Sequence, residues 1–254
     1  MTPIIGRDLV RLVFAWFAAA AFAASLGYFL YAYLFLFGPA LPTAVAAPAG
    51  AFPAPPGPAP ALSASVGINL ALFTVFALHH SIFARTGIKR LVRSIVPADL
   101  ERSVYTLAAS VLFAAVCWLW QPVAGTAWSL PGVGGYAGYL TQLAGIVLTI
   151  IGARALDVLE LAGVRQVLPG SAGARPLKTD GLYGFVRHPL YFAWILMVFA
   201  APVMTMTRLT FAAISTVYLA IAIPLEERSL IETFGADYAS YQRKVRWRMI
   251  PGIY

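Results

Sequence analysis

Charge is what this chain has least of. Only 11% of its 254 residues are Asp, Glu, Lys or Arg, against about 25% in a soluble domain. Apolar residues make up 60%, and mean hydropathy is +0.78. A water-soluble fold of this length has too little interior to hide that much apolar surface, so the composition excludes one. Cysteine is nearly absent: Cys117 alone can make neither an intramolecular disulfide nor a thiolate cluster. Zinc, EF-hand and P-loop spacings are missing, and no metal is expected. Acidic residues number 10 against 18 basic ones, for a net charge of +8. In a soluble protein that excess would suggest nucleic acid. In an apolar chain the positive-inside rule accounts for it, and no nucleic-acid partner is expected.

What remains is a set of long apolar runs, not ten-residue alternating pieces. They predict an all-α integral membrane protein, a single domain over 1–254 with the lipid bilayer as its surroundings. Six segments are candidates for transmembrane helices: 9–37, 65–84, 103–120, 137–159, 189–205 and 209–225. The last two are short, at about 17 residues each. Only Met206, Thr207 and Arg208 separate them, which predicts a C-terminal helical hairpin. The charges alternate in step. Arg85, Lys89, Arg90, Arg93 and Arg102 follow the second segment, and Arg165, Arg175, Lys178 and Arg187 follow the fourth. Arg228, Arg243, Lys244, Arg246 and Arg248 follow the sixth. The stretches 38–62 and 121–136 carry no charge. Both termini are therefore expected on the cytoplasmic side, in a membrane such as the bacterial inner membrane.

The stretch 38–62 is dense in Pro and Ala, which predicts an external linker of polyproline character. Near the other end, Phe234, Tyr238, Tyr241 and Val245 recur at helical spacing among Arg243, Lys244, Arg246 and Arg248. That pattern predicts a cytoplasmic amphipathic tail helix.

Polar groups beside membrane segments need a partner or a function. Here they gather at the basic face. In Arg187-His188-Pro189-Leu190-Tyr191, Pro189 suits the first turn of a helix. A cation, an imidazole and a phenol then meet free helix-end N–H groups, an arrangement that suits an anion. Glu226 and Glu227 follow Pro224 at the same face and suit a cation or sugar hydroxyls. Together the two clusters fit a zwitterion carrying a sugar. Arg154, Asp157 and Glu160 lie on one helical stripe, with Arg154–Asp157 as a self-neutralising pair. His79-His80-Ser81 closes the second segment, where neutral imidazoles can bond between helices or ligate haem.

The run 181–191 (GLYGFVRHPLY), then Leu225-Glu226-Glu227-Arg228, then Phe234-Gly235-Ala236-Asp237-Tyr238-Ala239-Ser240-Tyr241 resemble the isoprenylcysteine carboxyl methyltransferase superfamily of membrane methyltransferases. Upstream, His80-Ser81-Ile82-Phe83-Ala84-Arg85, Glu101-Arg102-Ser103-Val104-Tyr105, Trp120-Gln121-Pro122 and 161–166 (LAGVRQ) are similar to a narrower group, the bacterial methanethiol S-methyltransferases. The resemblance implies S-adenosylmethionine as cofactor, bound at the cytoplasmic end of the last two segments in the region 181–246. It implies Arg187, His188, Tyr191, Glu226 and Glu227 as cofactor residues, with Tyr238 and Tyr241 closing the site. Arg187 would hold the methionine carboxylate and a glutamate the ammonium or a ribose hydroxyl.

The expected reaction is methyl transfer to a small or lipophilic acceptor, with a thiol such as methanethiol first. His188, assisted by Arg187, is the expected catalytic group, because the thiolate is the nucleophile. His80, Arg165 and Gln166 are candidates on the acceptor side. A carboxyl or lipid acceptor is an alternative. So is a haem-binding membrane protein like the zeta-carotene isomerases and denitrification-associated proteins, with His80 and His188 as axial ligands. A noncatalytic scaffold on anionic lipid would leave Glu226 and Glu227 without a purpose. Oligomeric state is left open.

Overall fold

The computed structural model describes residues 2–39, 62–83, 86–169 and 176–254. Most of the Pro-rich linker expected over 38–62 lies outside the described residues. The chain is helical: α1 Thr2–Tyr31, α2 Leu62–Phe83, α3 Thr86–Arg93, α4 Glu101–Leu119, α5 Gly132–Ala155, α6 Val158–Leu161, α7 Pro189–Phe199, α8 Met206–Phe234 and α9 Ala236–Lys244. Two short strands, β1 Thr126–Ser129 and β2 Val203–Thr205, pair antiparallel.

Among the described residues five helices are long and apolar enough to cross a membrane: α1 with its extension to Leu36, α2, α4, α5 and α8. Their outward faces are apolar too: Val13, Phe17, Leu70, Val75, Leu140, Val217 and Ile221 are all exposed. That surface suits hydrocarbon and not water.

The segment expected over 189–205 differs. Its helix α7 stops at Phe199, three residues before Pro202, and 203–205 extend to pair with β1. Eleven helical residues rise only about 16 Å, roughly half the hydrocarbon thickness. The extended residues carry the chain onward instead. α7 runs antiparallel along α5, Leu190 beside Gly152, Ala193 and Met197 beside Gly145, and Ala200 and Pro202 beside Gly138. At Gly145 a Cβ would stand 2.7 Å from the Ala193 carbonyl oxygen, so only glycine allows this approach.

There is no three-residue turn before α8. Thr205 caps the helix by accepting from the Arg208 N–H at 3.2 Å, and Arg208 lies in its first turn. The helix then continues past Pro224 to Phe234, so Glu226 and Glu227 are helical residues.

Arg208 is buried, and its charge goes entirely to carbonyls. Nε donates to Tyr33 (3.0 Å), Nη1 to Val203 (2.6 Å) and Nη2 to Leu34 (2.7 Å). Tyr33 and Leu34 belong to a π-helical turn, Ala32–Leu36, that ends α1. Helix ends leave carbonyls without partners, and this guanidinium supplies them. Next to it lies an aromatic core. Phe29 stacks on Trp194 at 4.7 Å and on Phe211 at 5.3 Å, and Trp120 meets Phe211 edge-on at 5.0 Å.

At the opposite end α5 breaks after Ala155. Asp157 takes φ 65°, rare for a residue with a Cβ, and caps α6 by accepting from the Leu159 and Glu160 N–H groups. Its carboxylate pairs with Arg165 at 2.6 Å. The helical stripe Arg154–Asp157–Glu160 is therefore corrected: the helix ends before it can form.

Candidate functional site

The local sequence explains how Arg187 and His188 are aimed. Pro189 occupies the first turn of α7, so the helix starts there and His188 is its N-cap. Before it, 181–184 form a single 3₁₀ turn. The backbone N–H groups of Arg187 and His188 then bond to the Trp247 and Arg248 carbonyls at 3.0 and 2.7 Å. The chain after α9 thus runs beside 187–188 like a strand.

The centre of the arrangement is Glu227. Its Oε1 accepts from Arg187 Nε at 2.6 Å and lies 3.4 Å from His188 Nε2. Its Oε2 accepts from Gln242 Nε2 at 3.2 Å and lies 3.3 Å from Arg248 Nε. The Glu227 side chain is only 5% exposed. Burying a carboxylate this way is tolerable because each oxygen accepts a hydrogen bond and two guanidinium groups offset the charge. Arg187 Nη1 donates as well to the Val245 and Arg246 carbonyls at 2.7 and 2.9 Å. So Arg187 ties the tail strand to α8.

Glu226 is different. Its side chain is 44% exposed. Oε2 accepts from the Tyr191 hydroxyl at 2.8 Å and lies 3.6 Å from His188 Nδ1. Tyr191 lies flat on His188, centroids 5.3 Å apart with 5° between planes. The helix-end donors are fewer than the sequence suggests. Pro189 has no N–H, and those of Tyr191 and Phe192 donate to the His188 carbonyl, which leaves the Leu190 N–H.

α9 covers this cluster. Tyr183, Tyr238, Tyr241 and Val245 form one buried group. The Tyr241 hydroxyl donates to the Tyr183 carbonyl at 2.6 Å. Among the described residues the buried hydroxyls of Tyr183 and Tyr238 have no partner. Burial pushes all three phenols up, Tyr241 to about 12, so each is neutral.

A second polar network lies between α2, α4 and α8. The Tyr105 hydroxyl is 2.9 Å from His80 Nδ1, and Ser81 Oγ is 3.1 Å from the Tyr218 hydroxyl. Tyr105 and Tyr218 are close enough to Glu226 for its charge to be felt at both hydroxyls.

Arg187, His188, Tyr191, Glu226, Glu227, Tyr238 and Tyr241 are thus brought together, and His80 stands in the neighbouring network. Arg165 and Gln166 are elsewhere. Their turn packs on α1, Arg165 is paired with Asp157, and Gln166 donates to the Glu160 carbonyl at 3.4 Å. No contact among the described residues joins them to Glu226 or Glu227. His80 and His188 belong to separate networks, His188 engaged by carboxylates and His80 by a phenol. Sequence reasoning missed Gln242 and Arg248 on Glu227, and the unpartnered Tyr183 hydroxyl. Tyr183 stands inside the 181–191 run, whereas Arg248 shows in the sequence as a topology charge of the amphipathic tail and Gln242 carries no signal.

The isoprenylcysteine carboxyl methyltransferase (ICMT) family matches residues 166–232. Methanethiol S-methyltransferase of Pseudomonas deceptionensis is 39% identical over 184 residues, 70% of each chain. That of Crocosphaera subtropica is 35% identical over 183 residues, 70% of this chain and 72% of its own. That of Mycobacterium tuberculosis is 34% identical over 187 residues, 71% and 76%. No solved structure matches. Arg187, His188, Glu226 and Glu227 lie within the residues that the family model matches, and the chain belongs to the ICMT family of membrane methyltransferases.

Proposed function

We propose that this membrane methyltransferase transfers a methyl group from S-adenosylmethionine to the sulfur of a small thiol such as methanethiol. The observation that carries the cofactor is the pair of unpartnered buried hydroxyls, Tyr183 and Tyr238, beside the Glu227 cluster. Buried polar groups without partners are uncommon, and a ligand with hydroxyls, an amine and a carboxylate supplies them. Glu226, half exposed, would take the ammonium or the ribose hydroxyls. The Leu190 N–H and Arg248 would face the carboxylate. Arg187, with Nε and Nη1 engaged, would fix Glu227 and the tail strand. When bound, the cofactor supplies an electrophilic methyl carbon. The likeness to methanethiol S-methyltransferases supports the thiol acceptor.

The charge alternation supports six crossings, with α7 and the extended 200–205 together as the fifth. Both termini and the Glu227 cluster would then face the cytoplasm, in a bacterial inner membrane. A reporter placed in 40–61 should read as external.

The primary test is calorimetry of S-adenosylmethionine and its demethylated product on detergent-purified protein, with a visible spectrum of the same sample. Methanethiol is then added and dimethyl sulfide measured in the headspace. Saturable binding with turnover is expected. A Soret band without nucleoside binding would sink the proposal.

A further inference from the structure

The Tyr105 hydroxyl lies 2.9 Å from His80 Nδ1 and also 3.1 Å from the His80 carbonyl oxygen, to which it donates. A phenol has one proton, and a carbonyl can only accept. Both contacts are satisfied together only if Nδ1 carries the imidazole proton and donates it to the phenol oxygen. That tautomer leaves the lone pair on Nε2. Among the described residues Nε2 has no hydrogen-bond partner, so this lone pair is left for a small molecule. Tyr191 donates to Glu226 in the candidate cofactor site. Tyr218, bonded to Ser81 beside His80, packs with Tyr191 against the same buried cluster of Leu219, Ile223 and Met249. The two networks therefore adjoin.

We propose that His80 Nε2 is the proton acceptor for the thiol, and that Tyr105 is the positioning residue that sets its tautomer. The proposal rests on the thiol methyltransferase reading above, and it moves the proton from His188, which is tied to Glu227, to a free imidazole nitrogen. In the step the S–H bond breaks and the proton goes to Nε2. The sulfur lone pair forms the new S–CH₃ bond as the methyl carbon's bond to the donor sulfur breaks. One positive charge leaves the donor sulfur and one arrives on the imidazole, so the charge of the interior is unchanged. The Tyr105 oxygen keeps its hydrogen bond from Nδ1–H throughout. The titratable and charged groups that reach His80 are His79 on α2 and Arg102 and Tyr105 on α4, with Tyr218 on α8 bonded to the neighbouring Ser81 and Tyr191 on α7 and Glu226 on α8 beyond it.

His80→Gln and His80→Ala test this in the full-length detergent-purified protein. Cofactor affinity, by calorimetry, should be unchanged. kcat/KM for methanethiol should fall by roughly 10²–10⁴-fold, the usual range for a lost general base. An aryl thiol acidic enough to be a thiolate already should lose less than about tenfold, because it needs no base. Independently of activity, nitrogen NMR of ¹⁵N-histidine-labelled wild type should show His80 as the Nδ1–H tautomer. Tyr105→Phe should mix the two tautomers and lower methanethiol turnover by less than the His80 variants do. Equal losses on both thiols, loss of cofactor affinity in both His80 variants, or an Nε2–H tautomer at His80 would each overturn the role of His80 alone. A wild-type protein that binds the cofactor and methylates neither thiol would overturn the thiol reading, and this role with it.

Discussion

Two arginines are buried among the described residues, and their surroundings are opposites. Arg208 has three carbonyls and no carboxylate, and stands beside a core of stacked aromatic rings. Arg187 has a buried carboxylate, two carbonyls, and a neighbourhood of phenols and imidazoles with hydroxyls still unpartnered. The first charge is fully consumed in ending α1 and starting α8. The second belongs to a network that stops short of completion at Glu226, Tyr183 and Tyr238. Burial of a charge by itself therefore says nothing about function. What marks the Glu227 end is polar capacity left over.

That contrast can be broken in order of expected effect. Glu227→Ala strands Arg187 and should cost about 3–5 kcal/mol of stability, together with measurable cofactor binding; thermal unfolding and calorimetry on one sample report both. A variant that melts like wild type would mean the network is not structural. Arg208→Met leaves three carbonyls without their charged donor and should cost about 3 kcal/mol. The protein that remains folded should bind cofactor with unchanged Kd, and a weakened Kd would erase the division between the two ends. Glu226→Gln keeps shape and removes an exposed charge. It should weaken cofactor binding about tenfold, or about 1.4 kcal/mol, with the melting temperature unmoved. Tyr191→Phe removes one hydrogen bond and keeps the stacking on His188, for about 1 kcal/mol of binding. The smallest effect is with pH. Tyr241 ionises near 12 when folded against about 10 when free, so the unfolded chain loses its proton first as pH rises. Stability from this group is complete below pH 10 and is lost as pH climbs toward 12. Trp247 fluorescence, next to the tail strand, should follow it, and Tyr241→Phe should remove that part of the transition.

Much of this was readable in the residues. Apolar length placed α1, α2, α4, α5 and α8, because a spanning helix announces itself by composition alone. Pro189 placed the start of α7, and the pairing of 187–188 with 226–227 was visible as two polar clusters at one basic face. The rest depended on tertiary contacts. The early end of α7 follows from β1 pairing with β2, a link between stretches more than 70 residues apart. Asp157 looked like a helical stripe residue, yet its carboxylate is worth more as a cap and a partner for Arg165. Arg208 reads as a turn residue between two segments, since no local pattern shows that the Tyr33 and Leu34 carbonyls, more than 170 residues away, need it. Arg165 and Gln166 were adjacent in a motif, and adjacency in sequence carried them to α1, away from Glu227.

The tail strand has a consequence for biosynthesis. The carbonyls of Val245, Arg246, Trp247 and Arg248 that hold Arg187 and His188 come after all five long helices in the order of translation. A chain stalled anywhere before them holds its long helices but lacks the strand that closes the candidate site. Under the proposed function, closing that site would act as a built-in receipt that insertion has finished, and half-made copies in the membrane would stay chemically silent.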